Sequence, residues 1–299
     1  MTGRLIIHDR PELVAPYMLV GLKGWLNAGE VSTGCVDYLR RKLNAQPFAT
    51  IEPAGFYIYQ IPSASAEQTL RPPVKIRDGL IKKLEMPHND FFSWKSDGAH
   101  DLILFSGVEP NLDWPVYARA IVDLARQFSV ARIYSLGGIF DQVPHTRKTR
   151  ILATVSHARL KDELKAFARF TDYEGPSSFN TMLISLAREL GMEMAGISAR
   201  TPLYIQDLNA KACHDLLKYV IASTGLGIDL RDLREAGETL AEMMDRAFNQ
   251  NATALEQLRK LEAQFDAAAE EEPLQGPGED YDKLLAEMRK LKMEGRKPH

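Results

Sequence analysis

Asp141, His145, Thr146 and Arg147 stand within one seven-residue stretch, with Pro144 bracing the chain just before the histidine. An imidazole changes charge near neutral pH, and a guanidinium offers a fixed, forked donor to phosphate or carboxylate. With Asp141 four residues before it and Arg147 two after, His145 could orient or protonate a bound anion, and Lys148 and Arg150 add positive charge. A plainer reading is a loop histidine satisfied by backbone groups, beside basic residues that discourage strand pairing. Glu109, in the loop SGVEPNLDWP, and Glu174, in the tight turn Tyr173-Glu174-Gly175-Pro176, are carboxylates that belong on the same rim if the strands before them run parallel. A third loop, GWLNAGE, supplies Gly24, Trp25, Asn27 and Gly29 ahead of a helix, where free backbone N–H groups can hold an anion. It matches neither the dinucleotide-binding nor the P-loop pattern, so the signal is weak and simple helix–strand packing is the favoured reading.

Other chemistries find no support. The histidines lie far apart, and none is spaced for a metal with another histidine or a cysteine, so no metal site is expected. There is no G-x-S-x-G elbow, and Ser106-Gly107 has no base beside it in sequence. Taken alone, these residues outline a pocket, name no reaction and call for no cofactor.

The elements that must position these loops are read from periodicity. Arg4 to Ile7 and Met18 to Gly21 read as short strands, and Val31, Cys35, Leu39 and Leu43 recur at helical spacing behind the glycine-rich loop. Phe48 to Leu84 reads as strand-rich, with Phe56 to Ile61 apolar on both faces. Phe91, Phe92 and Trp94 fall in a loop-like setting, where three large aromatics favour burial under the loop or against another subunit. Asp101 to Phe105 is a buried strand, and Pro115 near a helix start introduces Val116, Ala120, Ile121, Leu124 and Phe128 on one helix face. The strand beginning at Ile133 then meets Gly137 and Gly138, where the backbone can turn sharply or approach another group closely. This strand–helix–strand order, with right-handed crossovers, predicts a mostly parallel sheet covered by helices.

Downstream, Ile151 to Val155 predicts a strand, and Leu160, Leu164, Phe167 and Ala168 a helix. Ser177 or Ser178 caps a helix that ends before Gly191, Met194 to Ala199 forms a strand, and Ala210 to Thr224 forms a helix stopped by Gly225. The α/β core therefore spans residues 1–230. Residues 231–299 form a helical extension: Leu240, Met244, Phe248, Asn251, Leu255, Leu258 and Phe265 trace the seam of an amphipathic helix, and a short basic helix with Leu284, Leu285, Met288 and Leu291 follows a break at PLQGPGED.

The totals bound the class. A chain of 299 residues with 45% apolar and 26% charged residues has the composition of an ordinary globular protein. Its net charge of -3 gives no general attraction for nucleic acid or an anionic membrane. Two cysteines, no signal-like start and no membrane-length apolar run place it in the cytoplasm.

Five stretches occur in order at workable spacings: GWLNAGE from Gly24, FSGVEPNLDWPVYA from Phe105, LGGIFDQVPHTR from Leu136, YEGPSSFNTML from Tyr173 and TPLYI from Thr201. Together, over Leu19 to Leu230, they resemble the prokaryotic branch of the proteasome assembly chaperone family. The resemblance implies a three-layer α/β/α fold similar to the nucleoside phosphorylase and hydrolase-like group, and self-association, with a trimer the first expectation. It implies no known reaction; an ATP-dependent carboligase role given to some members would need a nucleotide-grasping glycine loop and paired metal carboxylates, which this sequence lacks. Asn27 stands where the family often has Asp, and Lys148 where a proline is common. The sequence ends Gly295-Arg296-Lys297-Pro298-His299, without a hydrophobic–Tyr–any-residue tail, which sets the expectation against docking on a proteasome. Two readings follow: a homo-oligomeric assembly or scaffold protein, and a phosphorylase-like or ligase-like anion binder built on the Asp141–His145–Arg147 loop.

Overall fold

The computed structural model describes residues 5–59, 71–170 and 172–267. Strands β1 (Leu5–Ile7) and β2 (Tyr17–Lys23) lead through a 3-10 turn at Ala28–Glu30 into α1 (Val31–Lys42). β3 (Gln46–Ile51) is followed by a small hairpin, β4 (Val74–Arg77) and β5 (Leu80–Leu84), and then by β6 (Asp90–Trp94). β7 (Leu102–Val108), α2 (Trp114–Gln127), β8 (Arg132–Asp141) and β9 (Ile151–Val155) come next. The chain continues through α3 (Arg159–Leu164), α4 (Phe179–Glu189), β10 (Met194–Pro202) and α5 (Ala210–Thr224), and then α6 (Arg231–Asn249) and α7 (Ala252–Ala267).

Eight strands form one sheet in the order β1-β3-β6-β7-β2-β8-β10-β9, and β4 pairs only with β5. The central run β7-β2-β8-β10 is parallel, while both flanks are antiparallel, so the sheet is mixed rather than mostly parallel. Burial on both faces explains the near-continuous apolar strands. In β2, Leu19 faces a core shared with α1, α3 and α5, whereas Met18 and Val20 face a second core with α2 and α4. Leu102 and Leu104 of β7 alternate with Ile103 and Phe105 in the same way. The result is the expected three-layer α/β/α arrangement. Each fully buried Leu, Ile or Phe in these layers contributes about 1.5–3 kcal/mol.

Several expectations are corrected. Gly137 and Gly138 do not end β8. The strand runs on to Asp141, and a Cβ at Gly138 would collide with the Ala28 carbonyl, so these glycines admit the loop after β2 against the strand. Phe91, Phe92 and Trp94 lie in β6, not in a loop; Phe91 is fully buried in its own subunit, while Phe92 and Trp94 are half-buried against the core. The expected strand over Phe56 to Ile61 is a turn and loop as far as Tyr59, and Gln60 and Ile61 lie outside the described residues. The extension seam is two helices, because Asn251 leaves the helix and its Oδ1 accepts from Ala254 N at 3.0 Å, capping α7. The basic helix expected around Leu284 to Leu291 lies outside the described residues. Helices α6 and α7 pack on their own chain, joining Phe248, Ala254, Leu258 and Leu261 to Tyr204 and Ile205 just after β10.

Candidate functional site

Because β7, β2 and β8 are parallel, Val108, Lys23 and Asp141 finish at the same edge, and the loops bearing Glu109 and His145 leave from it together. They form two separate clusters there. In the first, Glu109 donates its backbone N–H to the Lys23 carbonyl at 2.8 Å, and its carboxylate gathers backbone donors. Oε2 accepts from Trp25 N at 2.5 Å and Oε1 from Phe179 N at 3.2 Å, the first residue of α4. A carboxylate at a helix N-terminus is favoured by the helix dipole. Gly24 is required by this approach, since a Cβ there would run into the Glu109 side chain. The Trp25 side chain is 77% exposed. Beside Glu109 a cavity of about 20 Å³, room for one water, is lined by Ser32, Ser178 and Phe179, and the buried Ser135 Oγ and Asn180 Oδ1 reach it without a protein partner.

Asn27 and Gly29 serve the turn into α1. Asn27 Oδ1 accepts from Thr33 N at 3.0 Å, and the Gly29 carbonyl accepts from Asn209 N at 2.8 Å. Ser32 closes the same corner, accepting from Leu22 N at 2.9 Å and donating to the Leu136 carbonyl at 2.5 Å. Glu174 and Gly175 are exposed on their own turn, which Tyr173 steadies by donating to the Pro176 carbonyl at 3.1 Å.

The second cluster is the loop from Gln142 to Arg150. His145 is 5% exposed and stacks on Phe248, with Tyr204 edge-on. Its backbone N–H donates to the Tyr204 hydroxyl at 2.8 Å, its Nδ1 lies 2.8 Å from the same oxygen, and its Nε2 lies 3.1 Å from Asp245 Oδ1. All three contacts are satisfied by a neutral ring that accepts at Nδ1 from the Tyr204 hydroxyl and donates from Nε2 to Asp245. Burial lowers the imidazole pKa, against the opposing pull of Asp245. Arg147 forks onto Asp266, with Nε to Oδ1 at 2.8 Å and Nη2 to Oδ2 at 2.7 Å, and Nη1 donates to Glu262 Oε1 at 3.1 Å. Thr146 donates to the same Glu262 oxygen, and the Arg150 guanidinium lies 3.7 Å above the Phe265 ring. From beneath, Lys211 Nζ donates to the His145 carbonyl at 2.8 Å and to that of Arg147. Burial lowers the Lys211 pKa.

Asp141 does not orient His145. Its carboxylate pairs with Arg200 of β10 and accepts from Gln142 N at 2.7 Å, and burial pushes its pKa up against the Arg200 charge. The ten sequence-predicted residues therefore divide: Gly24, Trp25 and Glu109 come together, His145 and Arg147 meet the added helices, and Asp141, Asn27, Gly29, Glu174 and Gly175 hold local structure. Each of the three guanidinium nitrogens of Arg147 already meets a carboxylate. Among the described residues no group of three or more His, Cys, Asp or Glu side chains is placed to hold a metal ion, and no helix is long and apolar enough to cross a membrane.

A family model described as the PAC2 family matches residues 21–247. The chain belongs to the PAC2 family. No curated protein matches it. Among solved structures, a protein of unknown function from Corynebacterium glutamicum is similar at a TM-score of 0.77 and 23% identity, covering 88% of this chain and 97% of that one. A proteasome-assembly chaperone homologue from Mycobacterium tuberculosis aligns at a TM-score of 0.68 and 24% identity, over 77% of this chain and 94% of that one. An archaeal proteasome activator from Pyrococcus furiosus aligns at 0.62 and 24%, over 81% and 97%. These likenesses share the fold. The PAC2 match contains both clusters at the sheet edge but ends within α6, so Glu262 and Asp266, which close the fork of Arg147, lie beyond it.

Reading the sequence misses Tyr204, Lys211, Asp245, Glu262 and Asp266. The i, i+4 spacing of Glu262 and Asp266 on one helix face is the signal that an arginine could meet both. Which arginine it would be is settled only by the docking of α7.

Proposed function

We propose that this PAC2-family chain is an assembly or scaffold-type protein, working in the cytoplasm as a homo-oligomer, with a trimer the first expectation. The observation that carries this reading is the closed fork of Arg147: Asp266 and Glu262 occupy the donors that an anionic substrate or nucleotide would need. Membership of the PAC2 family supports it, as do neighbours described as a proteasome-assembly chaperone homologue and a proteasome activator. Trp25, exposed beside the rigid Glu109 corner, is the residue we assign to contact with a client protein, because exposed aromatics on a fixed loop supply contact area at low entropic cost. Two free, buried cysteines fit a reducing compartment.

Native mass spectrometry of freshly purified protein tests the reading, since it reports subunit number and any retained ligand together. Multiples of the chain mass with nothing bound are expected, together with no thermal shift on adding phosphate or nucleotides. A monomer carrying a nucleotide would replace this reading with the anion-binding one.

A further inference from the structure

The carboxyl end of β7 and the start of α4 meet at a corner whose hydrogen bonds do not close. Glu109 accepts there from the backbone N–H groups of Trp25 and Phe179, and no cation among the described residues pairs with its carboxylate. A carboxylate has about four acceptor sites, so capacity is left over. The cavity beside it is walled by Val20, Leu22, Leu26 and Leu136, and by Ser135 of β8 and Asn180 of α4. Ser135 is 4% exposed, and neither its Oγ nor Asn180 Oδ1 has a protein partner. A buried polar atom left unpaired is costly and calls for an explanation. The other two hydroxyls in the wall are committed. Ser32 accepts from Leu22 N and donates to the Leu136 carbonyl, and Ser178 caps α4 by accepting from Thr181 N at 3.3 Å. The wall thus offers one negative charge and three acceptors, Glu109, Ser135 Oγ and Asn180 Oδ1, around a space the size of one water.

We propose that this cavity seats a primary ammonium group on an unbranched alkyl chain, as carried by a lysine side chain or a free alkylamine. An ammonium brings three N–H donors and a compensating positive charge, whereas a water brings two donors and no charge. Hydrogen bonds from a charged donor to these acceptors are of the stronger kind. The head fills the space of a water, and the chain behind it lies against the half-buried Leu22 and Leu26. The lysine source rests on the reading above that Trp25, whose backbone N–H holds Glu109, contacts a client protein. The ammonium seat itself does not.

The test is ligand-observed saturation-transfer NMR on the full chain with butylammonium, n-butanol and tetramethylammonium at constant ionic strength. Butylammonium is expected to bind and the other two are not, because butanol carries no charge and tetramethylammonium no N–H. Ser135→Ala deletes an unpaired hydroxyl, so it is expected to melt at or above wild type. It should bind butylammonium at least about tenfold more weakly. Asn180→Ala takes its place if Ser135→Ala does not fold, with the same expected weakening. Equal binding of butanol or tetramethylammonium, or an unchanged affinity in the folded variant, would overturn the proposal. So would a wild type that binds none of the three, which would reduce the cavity to a water site. Nα-acetyl-lysine amide and its Nε-acetylated form then separate the sources. Binding of the first that is lost in the second supports a client lysine. Butylammonium bound without the lysine amide would keep the seat, assign it to a free amine and count against client contact at Trp25.

Discussion

At the carboxyl edge of the sheet, two clusters solve one electrostatic problem with opposite ownership. On the Glu109 side the carboxylate belongs to the core, at the end of β7, and its donors are backbone N–H groups of Trp25 and Phe179. On the His145 side the donors belong to the core loop, and the carboxylates arrive on α6 and α7 as Asp245, Glu262 and Asp266. The first arrangement is fixed as soon as β2, β7 and α4 pack. The second exists only while the helical extension is docked. Substitutions that loosen α6 and α7 should therefore open the loop around His145 and leave the corner around Trp25 as it was.

The largest effect is expected from Phe248→Ala. Phe248 is fully buried, stacks on His145 and packs with Tyr204, so removing its ring leaves a cavity at the joint between extension and core. Such truncations cost about 3–5 kcal/mol. Amide hydrogen exchange should rise across residues 142–150 and across α7, with protection of residues 24–30 unchanged. Equal loss of protection in both regions would show that the two clusters form one cooperative unit, and the contrast would fail.

Glu109→Ala should act on the other side. It strands the Trp25 and Phe179 N–H groups, and each bond to a charged acceptor contributes about 1.5–3 kcal/mol. Because Glu109 is only half-buried, water recovers part of this, and a total loss of about 1.5–3 kcal/mol in urea unfolding is expected. Glu109→Gln should restore part of it by keeping one acceptor. A loss confined to the extension would contradict the assignment of Glu109 to the core.

Arg147→Ala is expected to do less. Arg147 and its partners are partly exposed, and exposed ion pairs contribute about 0.2–1 kcal/mol each. A fall of about 1 kcal/mol, shrinking in high salt and unaltered by phosphate, is the outcome for a structural fork. Phosphate that stabilised wild type and not the variant would restore the anion-binding reading.

How far the sequence reveals this molecule follows the same division. Strand and helix positions in the core are legible because burial imposes periodicity. Ile151 to Val155 and Ala210 to Thr224 coincide with β9 and α5 residue for residue. Glu109 is legible as a rim carboxylate, since a loop after a parallel strand has to emerge there. Its partners are not, because backbone N–H groups carry no sequence signature. β6 is hidden by having aromatics at adjacent positions, Phe91 facing one core and Phe92 the other, which erases the alternation of a half-exposed strand. The partners of Arg147 lie more than a hundred residues away, and only tertiary docking selects them.

The smallest expected effect, and the most specific to one cluster, is a dependence of stability on pH through His145. Its imidazole is buried between Tyr204, Phe248 and Asp245, and burial depresses its folded pKa below the ordinary value. Lys211 disfavours the charged ring, while Asp245 and Glu262 favour it. With the folded pKa below the unfolded one, the unfolded chain binds the proton first as pH falls. The contribution of His145 is therefore fully present above the unfolded value, near 6.5, and declines as pH drops from there toward the folded pKa. His145→Gln keeps a polar side chain in the same place and removes the titration. Urea unfolding between pH 7.5 and about 5.5 should lose stability more steeply in wild type than in this variant, over the titration range of an ordinary histidine. Parallel profiles would mean that Asp245 offsets the burial in full and that His145 can charge where it lies. The docked extension would then be indifferent to protonation, and its release would have to come from the apolar seat around Phe248 alone.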